Sequence, residues 1–328
     1  MESGLWGGPI LARGSEYPPD IDKSPKIADG STSQSQNRVA RKVSRQRLAP
    51  LPCSAALQVV VGVPIDSRLT RKTVEAMMIR LEKKDEVFVL TMAAGENRWN
   101  TTFVRAFDEA LDEVAASEGA AALVTVSDSE KFFSNGLDLA WLSSEGEHPG
   151  GDRTVFGKEA MTLFARMITF PMPTICAVNG HAFGAGFMIA LCHDIRVMRE
   201  DRGYLCANEI ELGMTIPEPE LALFRHKIPM NAFFETVQFA RRWTATDALA
   251  AGIVQQVASK DAVRDTAIQT AAGLTRLGKN RETFGWMKEH TYGENAAING
   301  ILGPAFMLRN ASMYPHGPGS MSDLAAKA

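Results

Sequence analysis

Asn179-Gly180-His181-Ala182-Phe183-Gly184-Ala185-Gly186 is the stretch on which the reading of this chain turns. It follows a short apolar run, Thr174-Ile175-Cys176-Ala177-Val178, and leads into another, Phe187-Met188-Ile189-Ala190-Leu191, so it reads as a strand turning into a helix. A second stretch of the same character, Phe132-Phe133-Ser134-Asn135-Gly136-Leu137-Asp138-Leu139, follows the apolar run from Ala121 to Val126. A loop that opens a helix aims unpaired backbone N–H groups, and the positive end of the helix dipole, at whatever lies in front of it. Two such loops converging on one point form an oxyanion hole, which holds negative charge developing on a carbonyl oxygen. Glu209 follows shortly after the Asn179 to Gly186 loop and can supply a base. Such a hole with one carboxylate implies proton abstraction next to a thioester.

The surrounding pattern is α/β. Ile79-Arg80-Leu81-Glu82-Lys83 alternates, Asp85-Glu86 can turn, and Val87 to Met92 continues as a buried strand, which makes a hairpin. Thr101 or Thr102 can cap a helix that carries Phe103, Phe107, Leu111 and Val114 on one face. A second helix is expected from Thr154 to Ile168, ending before Pro171 and Pro173. Asp194 to Met198 and Tyr204 to Ala207 read as further strands. Strands alternating with helices imply right-handed crossovers and parallel sheets. Beyond Glu220 the chain reads as mostly helical, with one helix starting at Thr244 and ending at Gly252.

Composition narrows the class of function. The 328 residues, 45% of them apolar, suffice for one large domain or two small ones with a real core. A net charge of −3 gives no sign of general affinity for nucleic acid or membranes, and no apolar run is long enough to span a bilayer. Cys53, Cys176, Cys192 and Cys206 lack CxxC spacing, so neither a metal site nor a redox pair is expected, and a reducing compartment fits them best. Residues 1–76 differ from the rest, with Pro-rich, Ser/Gln-rich and Arg-rich pieces in succession. They read as a disordered extension, with a targeting segment around Arg38 to Arg47 as the alternative and an internal start at Met77 or Met78 as another. The expected division is this extension, a core over residues 77–260 that carries the site, and a helical C-terminal region and tail over residues 261–328.

Several blocks in order resemble the crotonase, or enoyl-CoA hydratase/isomerase, superfamily from about residue 78 to 310. They are the hairpin, the Phe133-Ser134-Asn135-Gly136-Leu137-Asp138-Leu139 loop, the block from Pro173 to Gly186, the block from Asn208 to Pro217, and Ala248-Leu249-Ala250-Ala251-Gly252-Ile253-Val254. Phe133 to Trp141 is most similar to the plant-type Δ3,Δ2-enoyl-CoA isomerases of that superfamily. The resemblance implies a crotonase-like ββα spiral core with a C-terminal helical region, roughly Asp261 to Met313, that forms trimers or hexamers. It implies oxyanion-hole amides at Leu137 and Ala185, with Gly184 and Gly186 letting the thioester approach the backbone. Glu209 matches the glutamate retained in both hydratases and isomerases. Glu211 is the second choice and is expected to point away, while Glu218 and Glu220 read as surface residues. The segment Glu96 to Asn100, with Arg98 and Trp99, and the loop with Ser134, Gly136 and Asp138 are expected to line the CoA channel. An acyl pocket is expected near Phe183, Met188, Ile216 and Trp141. His181 reads as a loop histidine near the site, and His193 as structural.

Met188 stands where the superfamily's hydratases carry a second glutamate. A thioether cannot transfer a proton or hold a water as a carboxylate does, which leaves chemistry with a single base. The function this implies is a shift of the double bond of a 3-enoyl-CoA to the 2-trans position, in β-oxidation of unsaturated chains. No cofactor is expected, coenzyme A being part of the substrate. The alternatives are another single-carboxylate reaction or a weak hydratase, and a protein of this fold that only binds acyl-CoA or a partner. Asn208, where many relatives have proline, and the acidic Glu218 and Glu220 keep the last of these open. The resemblance implies a peroxisomal location. The terminal Ala326-Lys327-Ala328 is only a partial peroxisomal address, so mitochondrion, plastid and cytosol remain alternatives.

Overall fold

The computed structural model describes residues 78–294 and 302–315, so the expectations for residues 1–77 and for the C-terminal tripeptide lie outside the described residues. The expected hairpin forms from β1 (Ile79–Lys84) and β2 (Val87–Met92), closing at Asp85 with φ 53°. All six residues of β2 are buried, as are all six of β3 (Ala122–Ser127). Continuous apolar runs of this kind belong to strands covered on both faces. One sheet has the order β1-β2-β3-β5-β7-β9, parallel beyond the first pair, with β5 at Thr174–Val178, β7 at Ile195–Arg199 and β9 at Gln256–Ala258. A smaller parallel sheet has the order β4-β6-β8, from Phe132–Ser134, His181–Phe183 and Leu205–Cys206. Its register pairs Ser134 with Ala182 and Phe183 with Cys206.

Helices α1 (Thr101–Ala115), α2 (Leu139–Leu142), α3 (Arg153–Ile168) and α4 (Ala185–Cys192) cross between these strands. The chain continues through α5 (Glu218–Lys227), α6 (Met230–Phe239), α7 (Ala245–Ala250), α8 (Val263–Ala272), α9 (Arg281–Tyr292) and α10 (Pro304–Arg309). Phe103, Phe107, Leu111 and Val114 are buried along α1, as their spacing predicts. Its cap differs from expectation. Asn100, not Thr101 or Thr102, accepts the Phe103 N–H at 2.9 Å. Both threonine hydroxyls are committed elsewhere, donating to the Asp152 carbonyl at 2.6 Å and the Pro149 carbonyl at 2.7 Å, which ties α1 to the loop before α3. In α4 every residue is buried, so it has no polar face and runs through the interior. The sixth strand, β9, interrupts a region read as helical. Its three half-buried residues are too few to show a period.

Two polar residues fasten the frame near the loops. His193 is wholly buried, with Nδ1 2.8 Å from the Ile189 carbonyl and Nε2 2.8 Å from Thr125 Oγ1; burial depresses its pKa to about 3, so it is a neutral structural bridge, as expected. Asn97, with φ 49°, is also wholly buried. Its Nδ2 donates to Ser127 Oγ at 2.7 Å and to the Phe133 carbonyl at 3.0 Å, while Oδ1 accepts the Ala94 N–H at 2.9 Å. Asn97→Ala takes their partner from the Ala94 N–H and the Phe133 carbonyl, leaves Ser127 Oγ with only the Ser129 N–H, and forces alanine into a left-handed conformation. It is expected to cost about 3 kcal/mol or more, checked by denaturant unfolding. Among the described residues no helix is long and apolar enough to cross a membrane.

Candidate active site

The site lies beyond the C-terminal ends of β4, β6 and β8, where open parallel sheets receive ligands. Gly136 follows β4 with φ 75°, and a Cβ built on it would lie 2.8 Å from the Phe183 carbonyl oxygen and 3.7 Å from the Ala185 nitrogen. The two glycine loops therefore touch, and only glycine fits between them. The Leu137 loop is fixed to the neighbouring segment by Trp99 N–H donating to the Gly136 carbonyl at 2.9 Å and Asp138 N–H donating to the Trp99 carbonyl at 3.0 Å. That exchange uses the Gly136 carbonyl and the Asp138 N–H, on either side of Leu137, and leaves the Leu137 N–H unused. Ala185 is the first residue of α4, so its N–H has no intrahelical acceptor. Among the described residues neither amide donates to any protein group.

Glu209 opens a single 3-10 turn, Glu209–Leu212, that Gly213 closes with φ 68°. The segment is therefore not extended, and at about 120° per residue the turn sends Glu209 and Glu211 to different sides. Glu209 is 8% exposed, and its Oε1 lies 3.1 Å from where a Cβ on Gly184 would stand, beside the Ala185 amide. Its Oε2 is buried with no hydrogen-bond partner. Removal from water pushes its pKa up to about 7. Glu211 is exposed and takes both ends of the Arg242 guanidinium at 2.8 and 3.1 Å. It turns outward, as expected.

Two cavities meet at Glu209. The inner one has a wall of Trp99, Phe156, Met161, Phe164, Met188 and Ile216 with three polar side chains, Glu209, Thr215 and Glu220. The outer one is lined by Arg98, Asn135, Gly136, Phe183, Asn208 and Arg242 among others. Leu137, Glu209 and Met214 belong to both. Leu137, Ala185, Glu209, Gly136 and Gly184 thus come together, with Arg98 and Trp99 on the two sides of them. Arg98 is held by Glu96, whose Oε2 accepts its Nε–H at 2.7 Å. Ser134 and Asp138 line neither cavity. Ser134 is wholly buried, accepts the Trp99 indole N–H at 3.0 Å and donates to the Asn97 carbonyl at 2.7 Å. Asp138 caps α2 through the Trp141 N–H at 3.1 Å and accepts from Asn100 Nδ2 at 3.1 Å. Both position the loop that presents Leu137.

The four residues expected around an acyl pocket do not share one cavity. Met188 and Ile216 stand in the inner wall, but Phe183 faces the outer cavity. Trp141 packs edge-on against Phe156 and donates to the Gly151 carbonyl at 2.9 Å, away from both. His181 stacks on Phe183 at 5.5 Å and lines neither cavity. The larger correction is Glu220. Glu218 is exposed as expected, but Glu220 is 5% exposed and stands in the inner wall, and burial, with the Glu209 carboxylate nearby, pushes its pKa up to about 8. An acidic residue in the first turn of a helix satisfies the dipole whichever way it faces, so its position alone carries no sign of burial.

The arrangement holds, between a largely apolar cavity and a polar one, the Glu209 carboxyl, which exchanges protons near neutrality, with two free amides beside it. It suits removal of a proton next to a carbonyl whose oxygen takes up the charge. Residues 82–292 match the family model described as enoyl-CoA hydratase/isomerase. Enoyl-CoA delta isomerase 1, peroxisomal, of Arabidopsis thaliana is 34% identical over 238 residues, covering 69% of this chain and 97% of that protein. Enoyl-CoA delta isomerase 2, peroxisomal, of the same plant is 30% identical over 230 residues, covering 68% and 96%. The crystal structure of human mitochondrial delta3-delta2-enoyl-CoA isomerase shares the fold with a TM-score of 0.62 at 20% identity, over 76% of this chain and 91% of that one.

Proposed function

This chain belongs to the enoyl-CoA hydratase/isomerase family, and we propose that within it the protein is a Δ3,Δ2-enoyl-CoA isomerase. The observation that carries this reading is the buried Glu209 carboxyl set against two backbone amides that no group among the described residues uses. Glu209 removes a proton from C2 of a 3-enoyl-CoA. The resulting dienolate oxygen accepts from the Leu137 and Ala185 N–H groups, each donor contributing roughly 3 kcal/mol. The same carboxyl then returns the proton at C4, which leaves the conjugated 2-trans-enoyl thioester. Met188, in the inner wall beside this carboxyl, neither carries a proton nor orients a water, which disfavours hydration.

The acyl chain occupies the inner cavity and the pantetheine arm the outer one, with Arg98 and Arg242 near the CoA phosphates. The reaction uses no metal and no cofactor beyond the CoA that the substrate carries. The relatives' names support a peroxisomal location, and the double-bond shift would there serve β-oxidation of unsaturated fatty acids. Assembly into trimers or hexamers through the C-terminal helices accounts for the exposure of Trp286 and Met287 on α9, at 59% and 65%.

The test is to supply 3-enoyl-CoA thioesters and follow the ultraviolet absorbance of the conjugated product. Absence of conjugation by folded protein that binds CoA overturns the reading. Its pH dependence follows from Glu209, which acts as a base only when ionised. With its pKa raised to about 7, kcat/KM is expected to rise tenfold per pH unit below that value and level off above it. A rise centred near pH 4 to 5, where unperturbed carboxylates titrate, would place the base on an exposed residue.

A further inference from the structure

Glu220 has no part in the mechanism above, yet it stands in the wall of the same cavity. It is 5% exposed, and its Oε2 is buried without a hydrogen-bond partner. A buried polar atom left unpaired costs stability, and among the described residues neither the apolar part of the wall, Phe156, Met161 and Met188, nor its polar members Glu209 and Thr215 bond it. Its place along the cavity is fixed by what each end shares. Glu209 belongs to the inner and the outer cavity, so it marks the mouth. Glu220 belongs instead to the inner cavity and to a further one, together with Phe156, Met161 and Pro217, so it stands away from the mouth, within electrostatic reach of Glu209. An acyl chain entering past Glu209 therefore runs towards Glu220.

We propose that Glu220 is a distal hydrogen-bonding site for the acyl chain, and that the ligands this cavity prefers are CoA thioesters bearing a hydroxyl group on the chain, remote from the thioester. The inference rests on the reading that the inner cavity holds the acyl chain. Burial keeps the Glu220 carboxyl protonated at neutral pH, so it presents one O–H donor and a carbonyl acceptor. A hydroxyl both donates and accepts and matches that pair. A plain hydrocarbon chain leaves Oε2 unpaired, and a site built to bond a hydroxyl discriminates strongly against an analogue without one.

The test is calorimetric binding of saturated CoA thioesters of one chain length, one unsubstituted and the others with the hydroxyl stepped along the distal chain. The wild type, Glu220→Gln and Glu220→Leu are compared. The wild type is expected to bind one hydroxyl isomer about tenfold or more tightly than the unsubstituted thioester. That ratio falls to about one in Glu220→Leu and is partly kept in Glu220→Gln, whose amide also donates and accepts. A wild-type ratio near one at every hydroxyl position overturns the proposal, as does a preference that survives Glu220→Leu. Should the leucine variant not fold, the wild-type ratio and the glutamine variant decide. Saturated thioesters have no double bond to move, so the outcome is independent of turnover. Binding with the expected preference in a protein that conjugates no 3-enoyl-CoA removes the isomerase reading alone. Binding of none of the thioesters removes both.

Discussion

Glu209→Gln is expected to lower kcat for conjugation of a 3-enoyl-CoA by roughly 10³- to 10⁴-fold, with KM changed only a few-fold. Glutamine keeps the shape and volume of the residue and can neither take nor return a proton. The effect sits at the upper end for acid–base catalysis because one carboxyl performs both transfers. The same substitution should leave the fold at least as stable at neutral pH. In the wild type the buried carboxyl ionises with difficulty. A folded-state pKa raised from 4.5 to about 7 means that the stability it contributes is fully present below pH 4.5 and is lost as pH rises through 7. A neutral amide has no such loss. An inactive variant with a normal or raised melting temperature identifies Glu209 as the base. If conjugation survives, the next residue to test is Glu220, which shares the inner cavity, rather than Glu211, which is exposed and paired with Arg242.

Gly136→Ala is expected to lower kcat/KM by roughly 10²- to 10³-fold, the loss found when one oxyanion donor is removed. The added Cβ would stand 2.8 Å from the Phe183 carbonyl oxygen, and backbone on both sides must move to admit it. Such movement carries the Leu137 and Ala185 amides apart. Part of the damage is conformational, since Gly136 has φ 75°. Gly119 supplies the control, with φ 83° and nothing within 4 Å of its would-be Cβ. Gly119→Ala is expected to cost about 1 kcal/mol of stability and no activity, whereas Gly136→Ala costs both. Equal activity losses in the two variants would mean that strain alone is at work and that the contact between the loops is unimportant.

The loops, the base and most strands were legible because each leaves a local mark. Thr174–Val178 is an unbroken apolar run, and the glycines at 136 and 184 stand where the backbone needs positive φ. What the sequence concealed was decided by distant contacts. Thr101 and Thr102 look like better caps than Asn100 until their hydroxyls are seen bonded to residues about fifty positions away. Trp141 is as apolar as any residue of the inner wall, and only packing decides that it faces Phe156 instead. Glu220 was missed for the same reason. Its surroundings come from α3 and the Leu137 loop as much as from its own helix, and no spacing within Glu218–Lys227 records them.

The small sheet has one further consequence. Ser134 pairs with Ala182, and Leu137 and Ala185 each lie three residues beyond that pair. Ala182 pairs in turn with Leu205, and Glu209 lies four residues beyond Leu205. Three neighbouring strands thus deliver two amides and one carboxyl within three or four residues of one rung, across a lateral step of about 4.8 Å that every β-sheet shares. The sheet acts as a ruler, and the spacing of the reacting groups is a property of the backbone ladder rather than of any side chain in the cavities. Residues such as Met188, Ile216 and Glu220 can therefore be exchanged to suit another acyl chain while the ruler keeps its marks.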